Sequence, residues 1–201
     1  FNITKTSAGN LILTDAVNSY DGTTTISAGT LTIGGAGTLD SGDYDANIIN
    51  NAALAYSSSA TQSFDGVISG SGTLLKDTAT SVLTLSGANT YEGVTTVNAG
   101  TLKITHITGL GTVDGGTVVG ASGILEIAGV AVANAEALTL NGTLRGSGTS
   151  SFAGVTTLGS SSTIDVASGG AFTMSENITD AGNTFNITKT SAGNLILTDA
   201  V

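Results

Sequence analysis

The string FNITKTSAGNLILTDAV at residues 1–17 returns unchanged at 185–201, so residues 1–184 form one tandem period and position 185 starts the next. Identity over so long a string is not a chance event, and repetition of whole units is how stacked solenoid proteins lengthen. The expectation is a window on an array, with residues 1–184 as one unit and 185–201 as the start of the next. On this reading neither end is a natural terminus. Position 1 is Phe with no charged-plus-apolar leader, and Val201 matches Val17, which stops short of Tyr20.

A weaker repeat lies inside the period. A shift of 71 aligns Asn18–Ile33 (NSYDGTTTISAGTLTI) with Asn89–Ile104 (NTYEGVTTVNAGTLKI), identical at 10 of 16 positions, and brings Lys5 into register with Lys76. A degenerate third copy runs from Phe152 to Ile164, with Phe in place of Tyr and one residue inserted before Thr163.

The module reads as strand, turn, strand. Leu31 and Ile33, Leu102 and Ile104, Leu125 and Ile127, Leu138 and Leu140, and Ile164 and Val166 are apolar pairs two apart, the spacing that puts both side chains on one face of a strand. Pairs such as Ala28-Gly29, Ala99-Gly100 and Asn141-Gly142 supply corners between them. Over 130–137 a short helical turn, a strand and a loop all fit the pattern. An antiparallel sandwich would repeat as beads joined by linkers, and no Pro-rich or polar linker occurs. The prediction is therefore an all-β chain forming a parallel β-solenoid, its tandem units stacked end to end on one another.

Composition removes several functions. Charged residues make up 10% of the chain, against about 25% in a typical globular domain. There is no Cys, so the fold must be held by ladders and packing rather than disulfides. The formal charge of -10 belongs to every unit, because the duplicated tail adds one acid and one base. A polyanion of this kind repels nucleic acid and anionic lipid. No apolar run is long enough to cross a bilayer, so no membrane insertion of this segment is expected.

The run from Phe64 to Leu74 (FDGVISGSGTL), then Lys76, then LTLSGANTYEGVTTVNAGTLKI from Leu83 to Ile104, resembles the autotransporter-associated β-strand repeat of large bacterial surface proteins. A second copy covers 3–39 and a degenerate third covers part of 138–166. Glu92-Gly93-Val94 stands where the family usually shows Thr-Gly-Gly, and one extra residue lies between Lys76 and Tyr91. The resemblance implies a right-handed parallel β-helix, secreted and displayed at the bacterial cell surface as stalk, adhesin or fibre. It implies no catalysis and carries no active-site residues over.

Few residues are candidates for chemistry. His106 is the one His, so no His-based relay or multi-His metal site can be built in a unit. Asp40, Asp43 and Asp45 follow Gly34-Gly35-Ala36-Gly37 and are a weak candidate metal site. Calcium β-rolls place an Asp two residues after the last Gly, where this chain has Leu39, so an exposed acidic loop is the expectation. Glycan cleavage would need carboxylates gathered with cationic or aromatic groups, and four bases per unit without Trp do not supply them. The Thr pairs 24–25, 95–96 and 156–157 are too sparse for an ice-binding grid. Tyr20, Phe64, Tyr91 and Phe152 hold equivalent motif positions and are expected to plug the core or its corners. Lys5 and Lys76, beside abundant Asn, could in principle form isopeptide cross-links, but read as surface lysines. No cofactor is expected. The reading is a non-catalytic structural segment of an extracellular filament whose main partner is its own next unit. The alternatives are an adhesin module binding glycans or neighbouring cells, and a passive stalk for an enzyme elsewhere in the chain.

Overall fold

In many strands Thr and Ser alternate with Leu, Ile and Val, so one face suits burial and the other suits water. A computed structural model, which describes residues 1–198, winds these strands into about nine coils of a three-faced β-solenoid. Every strand pairing among the described residues is parallel, each strand lying on one from the coil before. Coil length varies, the shortest step running from Leu138 to Thr156 and the longest from Ile164 to Lys189.

The first face begins with Ile3–Lys5, Thr24–Ile26, Ile48–Asn50 and Ile68–Ser69. It continues without regular strands through Thr90 and Thr112, whose N–H groups donate to Ile68 O and Tyr91 O, both at 2.9 Å. It resumes as Ala131–Val132, Thr149–Phe152, Ala171–Met174 and Asn194–Leu197. The second face runs from Asn10–Leu13 through Thr30–Gly35 and Ala53–Ser58 to Leu138–Leu140, Thr156–Leu158 and Ile178–Thr179. The third opens at the Asn18–Leu39 bridge and runs through Gln62–Phe64 to Thr143–Ser147, Ser162–Val166 and Ile187–Thr190. Three long strands, Thr73–Leu85, Thr95–Ile104 and Thr117–Ala128, bend through a corner and serve the second and third faces in turn.

The apolar pairs point inward as expected. Leu83, Leu102, Leu125, Leu144 and Ile164 stack in register as one column of the third face, all without solvent exposure. Each such side chain contributes about 2 kcal/mol by leaving water. At the corner after Lys76 the register against the next coil shifts at Asp77 and again before Val82. Residues 130–137 hold the short strand Ala131–Val132 and no helix. No helix among the described residues is long and apolar enough to cross a membrane.

Candidate functional surfaces

The structure scatters the residues that could carry chemistry. Asp40, the first residue of the short 3-10 turn Asp40–Gly42, is half-buried, and Asp43 and Asp45, which follow the turn, are exposed. No group of three or more metal-ligating side chains forms there or elsewhere among the described residues. His106 is half-buried at a turn, where its Nδ1 accepts the Thr108 N–H at 3.2 Å. Thr24, Thr95 and Thr156 turn inward and are buried, so only one Thr of each pair faces outward and no flat hydroxyl grid results. Tyr20, Phe64, Tyr91 and Phe152 are core residues, at most 5% exposed, which removes them as a sugar-stacking platform.

The expectation of surface lysines at positions 5 and 76 is overturned. Both are buried, Lys76 completely. The Lys76 ammonium donates to Thr78 O at 2.6 Å and, one coil on, to Ala99 O at 3.2 Å, while lying 5.8 Å from the centre of the Tyr56 ring. Lys5 repeats the arrangement at the same shift, donating to Ser7 O and to Ala28 O, the latter at 3.0 Å. Each lysine thus ties a corner of one coil to the Ala-Gly corner of the next. Its methylene stem fills the core and its charge is met by carbonyl dipoles, which is how a cation tolerates burial. The glycines of those corners, Gly29 and Gly100, have φ of 72° and 73°, and a Cβ on them would stand 2.7 and 2.8 Å from the lysine nitrogens. Burial pushes the Lys76 pKa down to about 8.

Glu136 is a buried acid, and no motif in the sequence marks it. It has no solvent exposure, accepts one hydrogen bond from Thr117 Oγ1 at 2.8 Å, and leaves its Oε2 without a partner. Desolvation raises its pKa to about 7. Its partner comes from the preceding coil, which is why local sequence gives no sign of it.

The other cations lie in a ladder on the outside of the third face. Lys103, Glu126, Arg145 and Asp165 stand in register on successive coils, joined at 3.4 Å, 3.8 Å and 2.7 Å. Hydrogen bonds from Ser191, Arg145 and Thr190 hold the Asp165 carboxyl below its ordinary pKa. With Lys189 bound to Ser191 O at 2.5 Å, all five basic side chains have hydrogen-bonding or ionic partners, and acidic residues outnumber basic ones fifteen to five.

An apolar cleft lies at the open end of the last coil, lined by Leu158, Ile178, Phe185, Ile187 and Leu197. At the opposite end the next coil packs on one side of the duplicate of this segment: Tyr20 packs on Phe1 at 5.6 Å between ring centres, and Leu31 pairs with Leu11.

Comparison with known proteins bears on these features. Residues 3–33 and 80–104 match the family described as passenger-associated-transport-repeat. Each matched segment contains a Tyr-Thr module and an Ala-Gly corner. A stretch of 105 residues is 42% identical to the adhesin BmaC autotransporter of Brucella suis biovar 1 (strain 1330), covering 50% of this chain and 3% of that protein. The chain thus spans a small fraction of the relative's length. No solved structure matches the chain significantly.

Proposed function

From a chain built on passenger-associated-transport repeats, we propose a non-catalytic stalk segment of a long adhesin-like filament displayed outside a bacterial cell. The observation that carries this reading is the unbroken run of parallel pairing from coil to coil, with its apolar columns and its internal lysine ties. Stacking hides sheet edges everywhere except at the two ends, which leaves a long filament nothing to aggregate through sideways. In this reading residues 1–184 are one unit and the main partner is the following unit. A coil rise of about 4.8 Å makes a unit about 42 Å long. Electron microscopy of chains with two, four and six units should show lengths rising by that amount per unit; beads on flexible joints would refute it.

A second reading, that the repeats themselves bind a glycan or a neighbouring cell, is favoured by the description of the relative as an adhesin. It predicts selective retention of a multi-unit chain on a glycan array. Uniform failure to bind would leave the stalk reading alone.

A further inference from the structure

The segment FNITKTSAGNLIL occurs twice in the described structure, at 1–13 and 185–197, and the two copies have different neighbours. The first copy is seen with the coil that follows it: Thr4 pairs with Thr25 and Leu11 with Leu31. The second is seen with the coil that precedes it: Thr188 pairs with Thr163 and Leu195 with Phe172. Superposing the identical segments gives both sides of a junction between units. The two copies also occupy different faces. Ile3–Lys5 lies on the first face and Asn10–Leu13 on the second, whereas Ile187–Thr190 lies on the third and Asn194–Leu197 on the first. Counting strands along the chain, Ile3–Lys5 is followed by eight full turns to Ala171–Met174 and then by two more faces to Ile187–Thr190.

We propose that the open end of the solenoid is the seat for Asn18–Ile33 of a following copy, and that one unit advances the coil by eight and two-thirds turns. The occupant is fixed by the other end of the chain, where the same segment already carries those residues. Lys189 supports the assignment. It is exposed and holds the Ser191 carbonyl, the counterpart of Ser7, while the counterpart of Ala28 would come from the coil that follows. Seating that coil completes the same tie that Lys5 makes, and places the next copy's Tyr20 on Phe185 over the apolar cleft.

The consequence is a screw. Each unit begins two faces further round than its predecessor, so three units make 26 whole turns before any residue returns to the same face, apart from coil-to-coil twist. The older repeat also steps round, by one face rather than two. Thr24–Ile26 lies on the first face, while the positions aligned with it, 95–97, lie on the second. An exposed side chain such as Asp21 is therefore presented in three directions by three successive units.

This inference rests on the end-to-end stacking proposed above, and its test separates the two. A chain of six tandem units carrying Asp21→Cys in every copy would be marked with maleimide gold and imaged. Marks about 42 Å apart along the axis, stepping through three azimuths with the fourth in line with the first, are expected. Marks at that spacing but on one side would overturn the screw and leave stacking intact. Irregular spacing would overturn both. A junction cross-link checks the joint directly: in a two-unit chain, Thr163→Cys of the first copy and Thr188→Cys, which is Thr4 of the second copy, should oxidise to a disulfide, because adjacent parallel strands bring the Cα atoms within bridging range. Failure to close it in a folded chain would overturn the assignment.

Discussion

Tyr91 and Thr95, four positions apart and both buried, share a hydroxyl hydrogen bond of 2.7 Å inside the coil. Tyr20 and Thr24 form the same pair at 3.1 Å. In the degenerate third copy Phe152 replaces the Tyr, and the hydroxyl of Thr156 is left buried without a partner. Tyr91→Phe should therefore create at position 95 the defect that already exists at position 156. The expected loss is about 1–2 kcal/mol, read as a fall in the urea midpoint with unchanged slope. An unchanged midpoint would mean that the pair contributes nothing.

Lys76 predicts a stability that rises with pH. Its folded pKa of about 8 lies below the ordinary value of 10.5, so between those limits the unfolded chain holds a proton that the folded chain has released. Folding is thus favoured progressively as pH climbs from 8 toward 10. Tyr44 and Tyr91, whose pKa values burial raises, act in the opposite sense above about pH 10. Urea unfolding at pH 7, 8, 9 and 9.5 should show the rise in the parent and its loss in Lys76→Met, which keeps the stem without the charge. Lys76→Ala should cost about 2–4 kcal/mol near pH 7, through the cavity and the two abandoned carbonyls, and its cost relative to the parent should grow as pH climbs from 8 toward 10.

Glu136 predicts the opposite slope at lower pH. Its folded pKa of about 7 exceeds the ordinary 4.5, so its contribution is full below pH 4.5 and is lost as pH rises through 7. Glu136→Gln should melt several degrees above the parent at pH 8 and close to it at pH 4.5. Equal differences at both values would show that the carboxyl does not titrate in this range.

Leu102→Asp puts a carboxylate in the middle of the stacked column of the third face, between Leu83 and Leu125. Burying it unpaired costs several kcal/mol, and neighbouring coils should open with it. Hydrogen exchange should show protection lost on the coils either side before it is lost at Leu144.

Much of this architecture is legible in the sequence. The spacing of Leu31 and Ile33 or Ile164 and Val166 assigns their inward faces, because a strand allows no other reading of period two. Tandem identity selects stacking over closure. What escapes is what depends on the neighbouring coil. Lys5 and Lys76 look like surface residues by type, yet Ala28 and Ala99 each lie 23 residues later, one coil away, and that regularity is the available clue. Glu136 has no such regularity, since Thr117 meets it only once. Face assignment is also hidden, because Thr73–Leu85 crosses a corner as a single strand and gives no mark by which to count.

In the proposed screw, a unit that ends two-thirds of the way round a coil couples copy number to bearing. Inserting one copy lifts whatever stands beyond it by about 42 Å and also swings it by about 240°. Deleting a copy swings it back. Two cells whose arrays differ by a single copy would point the same tip in different compass directions, and only a change of three copies would alter reach while leaving aim untouched, coil-to-coil twist aside.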